Sequence, residues 1–244
     1  MTSLAEAVDQ VLERQIASGK PLAIILAGHN GSGKSTMWAR HLVPAVQMPL
    51  VNADRMMLSI LPDVPLGRLP GWARRLRDEN QSWMSVAQHG VEAFVLQAML
   101  QRVPFAMETV FSHWRERPDG TIESKIDRIR ELREAGYFAV LLFVGLADVQ
   151  LSIGRVATRV EGGGHAVDID KLEQRFPRTQ RAIREAIPIA DAAILVDNSR
   201  EPDVAFTVCR VQMGDEEIYD VRAEADHPPA AISAWLDLVC PRRR

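Results

Sequence analysis

The stretch from residue 28 to residue 35 constrains the fold more than any other part of this 244-residue chain. It fits the phosphate-binding pattern G-x-x-x-x-G-K-[ST] with Gly28, His29, Asn30, Gly31, Ser32, Gly33, Lys34 and Ser35. An apolar run of strand length precedes it at residues 22–27, and residues 35–42 predict the start of a helix. Glycines at such a junction let successive backbone N–H groups surround one concavity at the positive end of the helix. The sequence therefore predicts a phosphate-binding loop, the P-loop.

The last two residues of the P-loop predict which ligands it holds. Lys34 supplies a mobile cation for the β- and γ-phosphates of a nucleotide, and the hydroxyl of Ser35 is placed to ligate Mg²⁺. The sequence thus predicts ATP and Mg²⁺ as ligands. The alternative is a glycine-rich turn that matches the pattern by chance, and the flanking strand and helix argue against it.

Strand patterns alternate with helical patterns along most of the chain. This order predicts an α/β fold of the P-loop kinase type, with a mostly parallel sheet and helices on both faces. Residues 204–213 and residues 217–222 flank Gly214 and Asp215, which predicts a C-terminal antiparallel hairpin. We expect one domain over residues 1–244, in which an N-terminal helix (1–20) precedes a core (22–200) and a C-terminal hairpin and helix (201–244).

Three local patterns give further expectations. Prolines and glycines in residues 62–74 predict a loop, whereas the spacing of Ile122, Ile126 and Ile129 predicts a helix over residues 121–135. Pro177 lies inside a helical pattern, so we expect it to kink that helix or to start a new one.

Composition and charge exclude several classes of protein. The net charge of −3 gives no general attraction to nucleic acid or to an anionic membrane. Cys209 and Cys240 have no metal-type spacing and are expected to be free thiols of a reducing compartment. The longest apolar run, residues 137–146, is too short to span a bilayer, and the N-terminus lacks the pattern of a signal peptide. We expect a cytoplasmic protein without a nucleic-acid or membrane partner.

Two acidic residues follow predicted strands and are candidates for chemistry. Asp54 and Glu108 end the second and third strand patterns, at the sheet edge where ligands bind in open α/β folds. Asp54 is a candidate base for an attacking hydroxyl, or else the N-cap of the next helix. Glu108 is a candidate for holding acceptor hydroxyls or a water on Mg²⁺, or else a solvated loop acid. No acid closes the fourth strand at residues 143–146, which argues against a motor ATPase or GTPase.

Arginines on two helical segments form the second group of candidates. Arg155 and Arg159 lie four residues apart, and three more arginines follow beyond a glycine run, namely Arg175, Arg178 and Arg181. These segments predict a lid that brings guanidinium groups to the transferring phosphoryl group. The alternative is a solvated basic face. A structural role is expected for His165 and packing roles for Trp72, Trp83 and Trp114.

Several segments also occur in an order found in a known family. They are GHNGSGKST (28–36), VNAD (51–54), ETVFS (108–112), RVATRV (155–160), GGHAV (163–167), RFPR (175–178) and VDNS (196–199). Together they resemble the zeta toxin family of P-loop kinases over about residues 22–200. One departure is Asp168, which stands where the family often has proline.

The resemblance implies a kinase that uses ATP and Mg²⁺ to phosphorylate a sugar hydroxyl of UDP-N-acetylglucosamine, and that acts as a toxin restrained by an antitoxin. It implies that residues 28–36, through Thr36, bind ATP. It further implies that Asp54 is the base, that Glu108 and Thr109 bind the acceptor, and that Arg159 and Arg175 face ATP, with Arg155 or Arg178 as alternatives. We expect the antitoxin to be a separate protein. A kinase of another small alcohol, an ATPase or nucleotide switch, and a nucleic-acid end kinase are the competing hypotheses.

Overall fold

The structure is a computed structural model that describes residues 2–162, 164, 166–225 and 227–242, without the side chain of Leu66. Gly163 and His165 of the predicted glycine segment, and Arg243 and Arg244 of the basic C-terminus, lie outside the described residues.

Strands and helices alternate along the described chain. The strands are Leu22–Gly28 (β1), Leu50–Val51 (β2), Phe105–Thr109 (β3), Trp114–Glu116 (β4), Ile122–Ser124 (β5), Phe138–Gly145 (β6), Ala192–Asp197 (β7), Thr207–Met213 (β8) and Glu216–Asp220 (β9). The α-helices are Leu4–Ser18 (α1), Lys34–Met37 (α2), Ala53–Ser59 (α3), Gly71–Glu79 (α4), Gln81–Gln101 (α5), Ile126–Glu134 (α6), Val149–Glu161 (α7), Ile169–Ala186 (α8) and Ala230–Val239 (α9). A π-helical segment, Trp38–Leu42, continues α2.

Within the described residues, one seven-stranded sheet has the order β2-β3-β1-β6-β7-β8-β9. Its first five strands are parallel, and β8 and β9 are antiparallel. The predicted α/β class and the C-terminal hairpin are therefore confirmed. The five strands β2, β3, β1, β6 and β7 run in one direction. The P-loop after β1 and the segments after β2, β3 and β7 therefore all lie at one edge of the sheet.

The core has two layers, one on each face of the sheet. Every residue of β1 and β6 is buried, as expected for strands covered on both sides. Leu141 points into the layer formed with α5, α6, α8 and α9, whereas its neighbour Leu142 points into the layer formed with α1 and α2. This alternation along β6 follows from the two-residue repeat of a strand.

The C-terminal extension, residues 205–242, completes the sheet and covers one end of it. Trp235 of α9 stacks on Phe143 with 5.9 Å between ring centroids and packs directly on Gly145. Buried Arg222 donates to Asp220 at 2.6 Å and to Asp237 at 2.5 Å. Two free thiols, Cys209 and Cys240, are also buried in this extension.

Two local predictions differ from the structure. Residues 62–74 are not all loop, because α4 begins at Gly71 directly after Pro70 and buries Ala73 against Leu61 and Leu69. The proline marks the start of a helix here, where its missing N–H has no cost.

The helix predicted over residues 121–135 begins only at Ile126. Ile122 belongs to β5, which pairs with β4 in an antiparallel hairpin whose register joins Trp114 to Ser124. Cross-strand pairing with a segment outside the helical window has overridden the local periodicity.

Pro177 does not start a new helix, because α8 continues through it. Buried side chains on both sides, Phe176 and Thr179, hold the two halves against the core. No helix among the described residues combines the length and apolar character needed to cross a bilayer.

Candidate active site

The P-loop connects β1 directly to α2, as predicted. Gly33 is the N-cap residue of α2 with a φ of 90°, a left-handed conformation that glycine adopts without strain. A Cβ atom at Gly33 would lie 2.6 Å from Nδ2 of Asn198, so the close approach of this side chain also requires glycine.

Two side chains from other elements hold the P-loop in position. Nδ2 of Asn198, which follows β7, donates to the carbonyl of Ser32 at 2.8 Å. Oγ of Ser152 on α7 donates to the carbonyl of Asn30 at 2.7 Å. The position of Asn198 at the end of a strand pattern was a usable sequence indication, whereas nothing local marked Ser152.

Lys34 is buried at the base of the P-loop, with 7% of its surface exposed. Its Nζ donates to the carbonyls of Gly28 and His29 at 3.1 and 3.0 Å. Burial lowers the pKa of Lys34, and the carboxylates of Glu108 and Asp54 oppose this shift. The lysine is therefore close enough to both acids for them to act on its charge.

Ser35 and Glu108 meet across the cleft between α2 and β3. Oγ of Ser35 donates to the carboxylate oxygens of Glu108 at 3.0 and 3.1 Å. Glu108 and Thr109 are the last two residues of β3, so both lie at the strand end that the sequence predicted. A hydroxyl and a carboxylate are hard oxygen donors of the kind that Mg²⁺ prefers, and this pair fits such an ion. The described residues hold no cluster of three or more His, Cys, Asp or Glu side chains suited to a metal.

His29, in contrast, turns its side chain away from the cleft. Its ring stacks on Phe176 at 3.9 Å between centroids and meets Phe143 edge-on at 5.7 Å. Burial, with a smaller effect of the Lys34 charge, lowers the pKa of His29 to about 3, so the ring is neutral. The side chain of His29 joins the P-loop to α8 behind the phosphate site.

A cavity of about 1000 Å³ opens at the carboxyl edge of the parallel strands. It is lined by the P-loop residues Asn30, Gly31, Gly33, Lys34, Ser35 and Thr36, and by Asp54, Glu108, Thr109, Arg155, Arg159, Arg175 and Arg178. The structure thus brings the predicted base, acceptor residues and lid arginines to one space. Gly28, His29 and Ser32 of the predicted ATP-binding set lie behind the lining.

Asp54 lies in the first turn of α3 and is not its N-cap. The cap is Asn52, whose Oδ1 accepts from the backbone N–H groups of Asp54 and Arg55 at 2.7 and 3.3 Å. The capping alternative for Asp54 was therefore wrong, and its carboxylate is left to face the cavity.

The far half of the cavity was not predicted from the sequence. The junction of α4 and α5 contributes Arg77, Asn80, Gln81 and other polar side chains, and the segment after β3 contributes Ser112 and His113. Ser112 belongs to the ETVFS segment of the family resemblance. No local pattern marked Arg77, Asn80, Gln81 or His113 as site residues, because their approach to the cavity depends on tertiary packing.

The remaining candidates lie elsewhere. Arg181 stacks on the ring of Trp114 at 4.5 Å instead of lining the cavity. Trp83 packs against the small cluster of Leu61, Leu69 and Ala73, and Trp72 is half exposed.

Solved structures share this fold. A chain of the PezAT chromosomal toxin–antitoxin system of Streptococcus pneumoniae aligns over all of this chain and 91% of its own, with a TM-score of 0.54 and 14% identity. The AvrRxo1-ORF1:AvrRxo1-ORF2 complex contains a chain that aligns with 99% of this chain and 72% of its own, with a TM-score of 0.62 and 14% identity.

Sequence comparison adds a relative and a family. An uncharacterized protein of Haemophilus influenzae is 29% identical over 154 residues, which cover 63% of this chain and 91% of the relative. The family model described as zeta toxin matches residues 6–204. This chain therefore belongs to the zeta toxin family.

Proposed function

We propose that the protein is an ATP-dependent phosphotransferase whose acceptor is a hydroxyl group of a nucleotide sugar, with UDP-N-acetylglucosamine as the first candidate. The observation that carries the proposal is that Asp54 and Lys34 line one cavity together with Glu108. An NTP hydrolase without an acceptor has no need of the further polar space beyond Asp54. A solved AvrRxo1 structure with the same fold was determined with ATP, which supports ATP as the donor.

Electrostatics in the cavity suit phosphoryl transfer. Lys34 lies at the base of the P-loop, and Arg159 and Arg175 approach from the two lid helices. Three cations around one space stabilise the charge that spreads over the equatorial oxygens of the transferring group. Ser35, with Glu108 beside it, would hold Mg²⁺, and the ion would neutralise part of that charge.

Asp54 is the proposed base. The acceptor oxygen attacks the γ-phosphorus of ATP as the bond from that phosphorus to the β,γ-bridging oxygen breaks, and ADP leaves. Asp54 accepts the proton of the hydroxyl group, and Glu108 and Thr109 orient the sugar. In this proposal the product blocks the synthesis of cell-wall precursors, and a separate antitoxin restrains the enzyme.

The proposal predicts that Asp54→Asn abolishes transfer while leaving ATP binding within about two-fold, because an amide has the shape of a carboxylate without its basicity. Purified protein, ATP, Mg²⁺ and UDP-N-acetylglucosamine are incubated, and the phosphorylated sugar nucleotide is measured by mass spectrometry. Asp9→Asn, on the exposed face of α1, is the matched control and should keep full activity. Expression of the wild type should arrest growth, and Asp54→Asn should not.

Each competing hypothesis has its own outcome in this assay. Phosphate released to water at the same rate by wild type and Asp54→Asn, with no acceptor modified, would make the protein an ATPase or switch. Transfer to another small alcohol but not to UDP-N-acetylglucosamine would retain the kinase and replace the acceptor. Oligonucleotide phosphorylation would indicate a nucleic-acid end kinase.

A further inference from the structure

Residues 109–113 begin at the last residue of β3, and we call them the acceptor loop. They form one wall of the far half of the cavity, which we call the acceptor half because the proposed acceptor would bind there. Phe111, at its centre, is buried and has a φ of 64°. This left-handed conformation is unfavourable for an aromatic residue, so neighbouring groups must hold it in place. Within the loop, the N–H of Phe111 donates to Oγ1 of Thr109 at 3.2 Å.

A side chain of α8 reaches the acceptor loop from outside it. Oγ1 of Thr179 donates to the carbonyl of Val110 at 3.2 Å, next to the left-handed residue. Thr179 has none of its surface exposed, so water does not compete for this carbonyl from the side of α8. This buried threonine hydroxyl donates to a loop carbonyl instead of a carbonyl of its own helix, and it therefore attaches the loop to α8.

The same face of α8 also contacts the P-loop. Phe176, one turn before Thr179, stacks on His29, and Arg175 and Arg178 on the same turns line the cavity. One helix therefore carries the arginines of the ATP half, a contact to the P-loop and a hydrogen bond to the acceptor loop. Residues three apart on a helix lie side by side, so one short stretch of α8 makes all of these contacts.

We propose that Thr179 is a positioning residue that fixes the acceptor loop relative to the arginines of α8, and so sets the distance between acceptor and phosphoryl donor. The inference rests on the proposed function, which assigns the acceptor to the far half of the cavity. Thr179 touches no substrate in this account and acts through the Val110 carbonyl.

The decisive pair of variants is Thr179→Val and Thr179→Ser. Valine matches the shape of threonine but has no hydroxyl, whereas serine keeps the hydroxyl and loses a methyl group. In hydrogen exchange of the free protein, amides of residues 109–113 should exchange about five-fold faster in Thr179→Val, the factor that one neutral hydrogen bond contributes. They should exchange at the wild-type rate in Thr179→Ser, and the amides of the P-loop should not change in either variant.

Kinetics provide the second measurement. With UDP-N-acetylglucosamine as acceptor, Thr179→Val should raise the KM of the acceptor about five-fold. The KM of ATP should stay constant, and Thr179→Ser should restore the wild-type value. Thr179→Ala removes the same hydroxyl with a smaller side chain, and it replaces the valine variant if that variant does not fold.

Two results would overturn the inference. Either the loop amides exchange equally in Thr179→Val and the wild type, or serine and valine have the same effect, which would mean that Thr179 acts only by packing. A wild type that phosphorylates no acceptor would remove the proposed function, and the exchange measurement would still decide whether Thr179 holds the loop.

Discussion

At the scale of single residues, local sequence order identified the side chains that are fixed by the P-loop itself. Lys34 lies where the pattern required it, because the loop geometry is determined by adjacent residues. The pattern also suggested His29 as a phosphate-binding residue, yet its ring is buried against Phe176, 147 positions away in the chain. Ser152 was missed for the same reason, since only the packing of α7 brings it to the P-loop.

Burial of neutral His29 makes stability depend on pH. The pKa of His29 is about 3 in the folded chain, whereas its usual value is 6.5. Between these two pH values the unfolded chain therefore binds a proton at His29 that the folded chain does not bind. The stability contribution is complete above pH 6.5 and is lost as pH falls toward 3. Relative to His29→Gln, the wild type should lose up to about 1.4 kcal/mol of unfolding free energy per pH unit within this window.

Denaturant unfolding of both proteins at several pH values measures this difference, since carboxylate effects common to both cancel. A constant difference between pH 7 and pH 4 would show that the folded and unfolded chains bind this proton equally, so that burial does not lower the pKa of His29.

At the scale of elements, long apolar patterns were predicted well and short pairings were not. Strands β1 and β6 are buried on both faces, so a continuous apolar run was enough to identify them. The hairpin of β4 and β5 has three residues in each strand, and its pairing joins residues six to ten positions apart. Helical periodicity over residues 121–135 therefore gave the wrong start for α6.

The capping of α3 links an element to the proposed chemistry. Asn52 accepts two backbone hydrogen bonds at the start of this helix, one of them from Asp54. Asn52→Ala should lower the unfolding free energy by about 1 kcal/mol and should reduce kcat, because the first turn loses its fixed direction. Asn52→Ser keeps a capping oxygen and should retain most of both quantities. Thermal unfolding and product formation measure the effects, and equal losses in the two variants would contradict a capping role.

At the scale of the whole molecule, the C-terminal extension joins the parallel sheet through the pairing of β8 with β7 and through one tight contact made by α9. The family match ends at residue 204, and the extension begins just after it. A Cβ atom at Gly145, the last residue of β6, would lie 2.0 Å from the ring of Trp235. The backbone carbonyl of Gly145 also accepts from Asn198, whose side chain holds the P-loop. The extension therefore supports the strand ends on which the site is built.

This contact predicts non-additive effects of substitution. Gly145→Ala should lower the unfolding free energy by about 1–3 kcal/mol through overpacking, and the loss should shrink when Trp235→Leu makes room for the new methyl group. Gly154→Ala, on α7 with open space around it, is the matched control and should be neutral or stabilising by up to about 1 kcal/mol. A double-mutant cycle from denaturant unfolding measures the coupling, and strictly additive losses would show that the ring and the strand end adjust independently.

The two buried thiols can report the local opening of the C-terminal extension. Cys209 and Cys240 are 1% and 8% exposed, and burial raises the pKa of Cys209 to about 12. A thiol that is both shielded and protonated reacts with an alkylating reagent only after the surrounding structure separates. The rate at which iodoacetamide labels the native protein therefore reports the opening of β8, β9 and α9. No added probe is needed for this measurement.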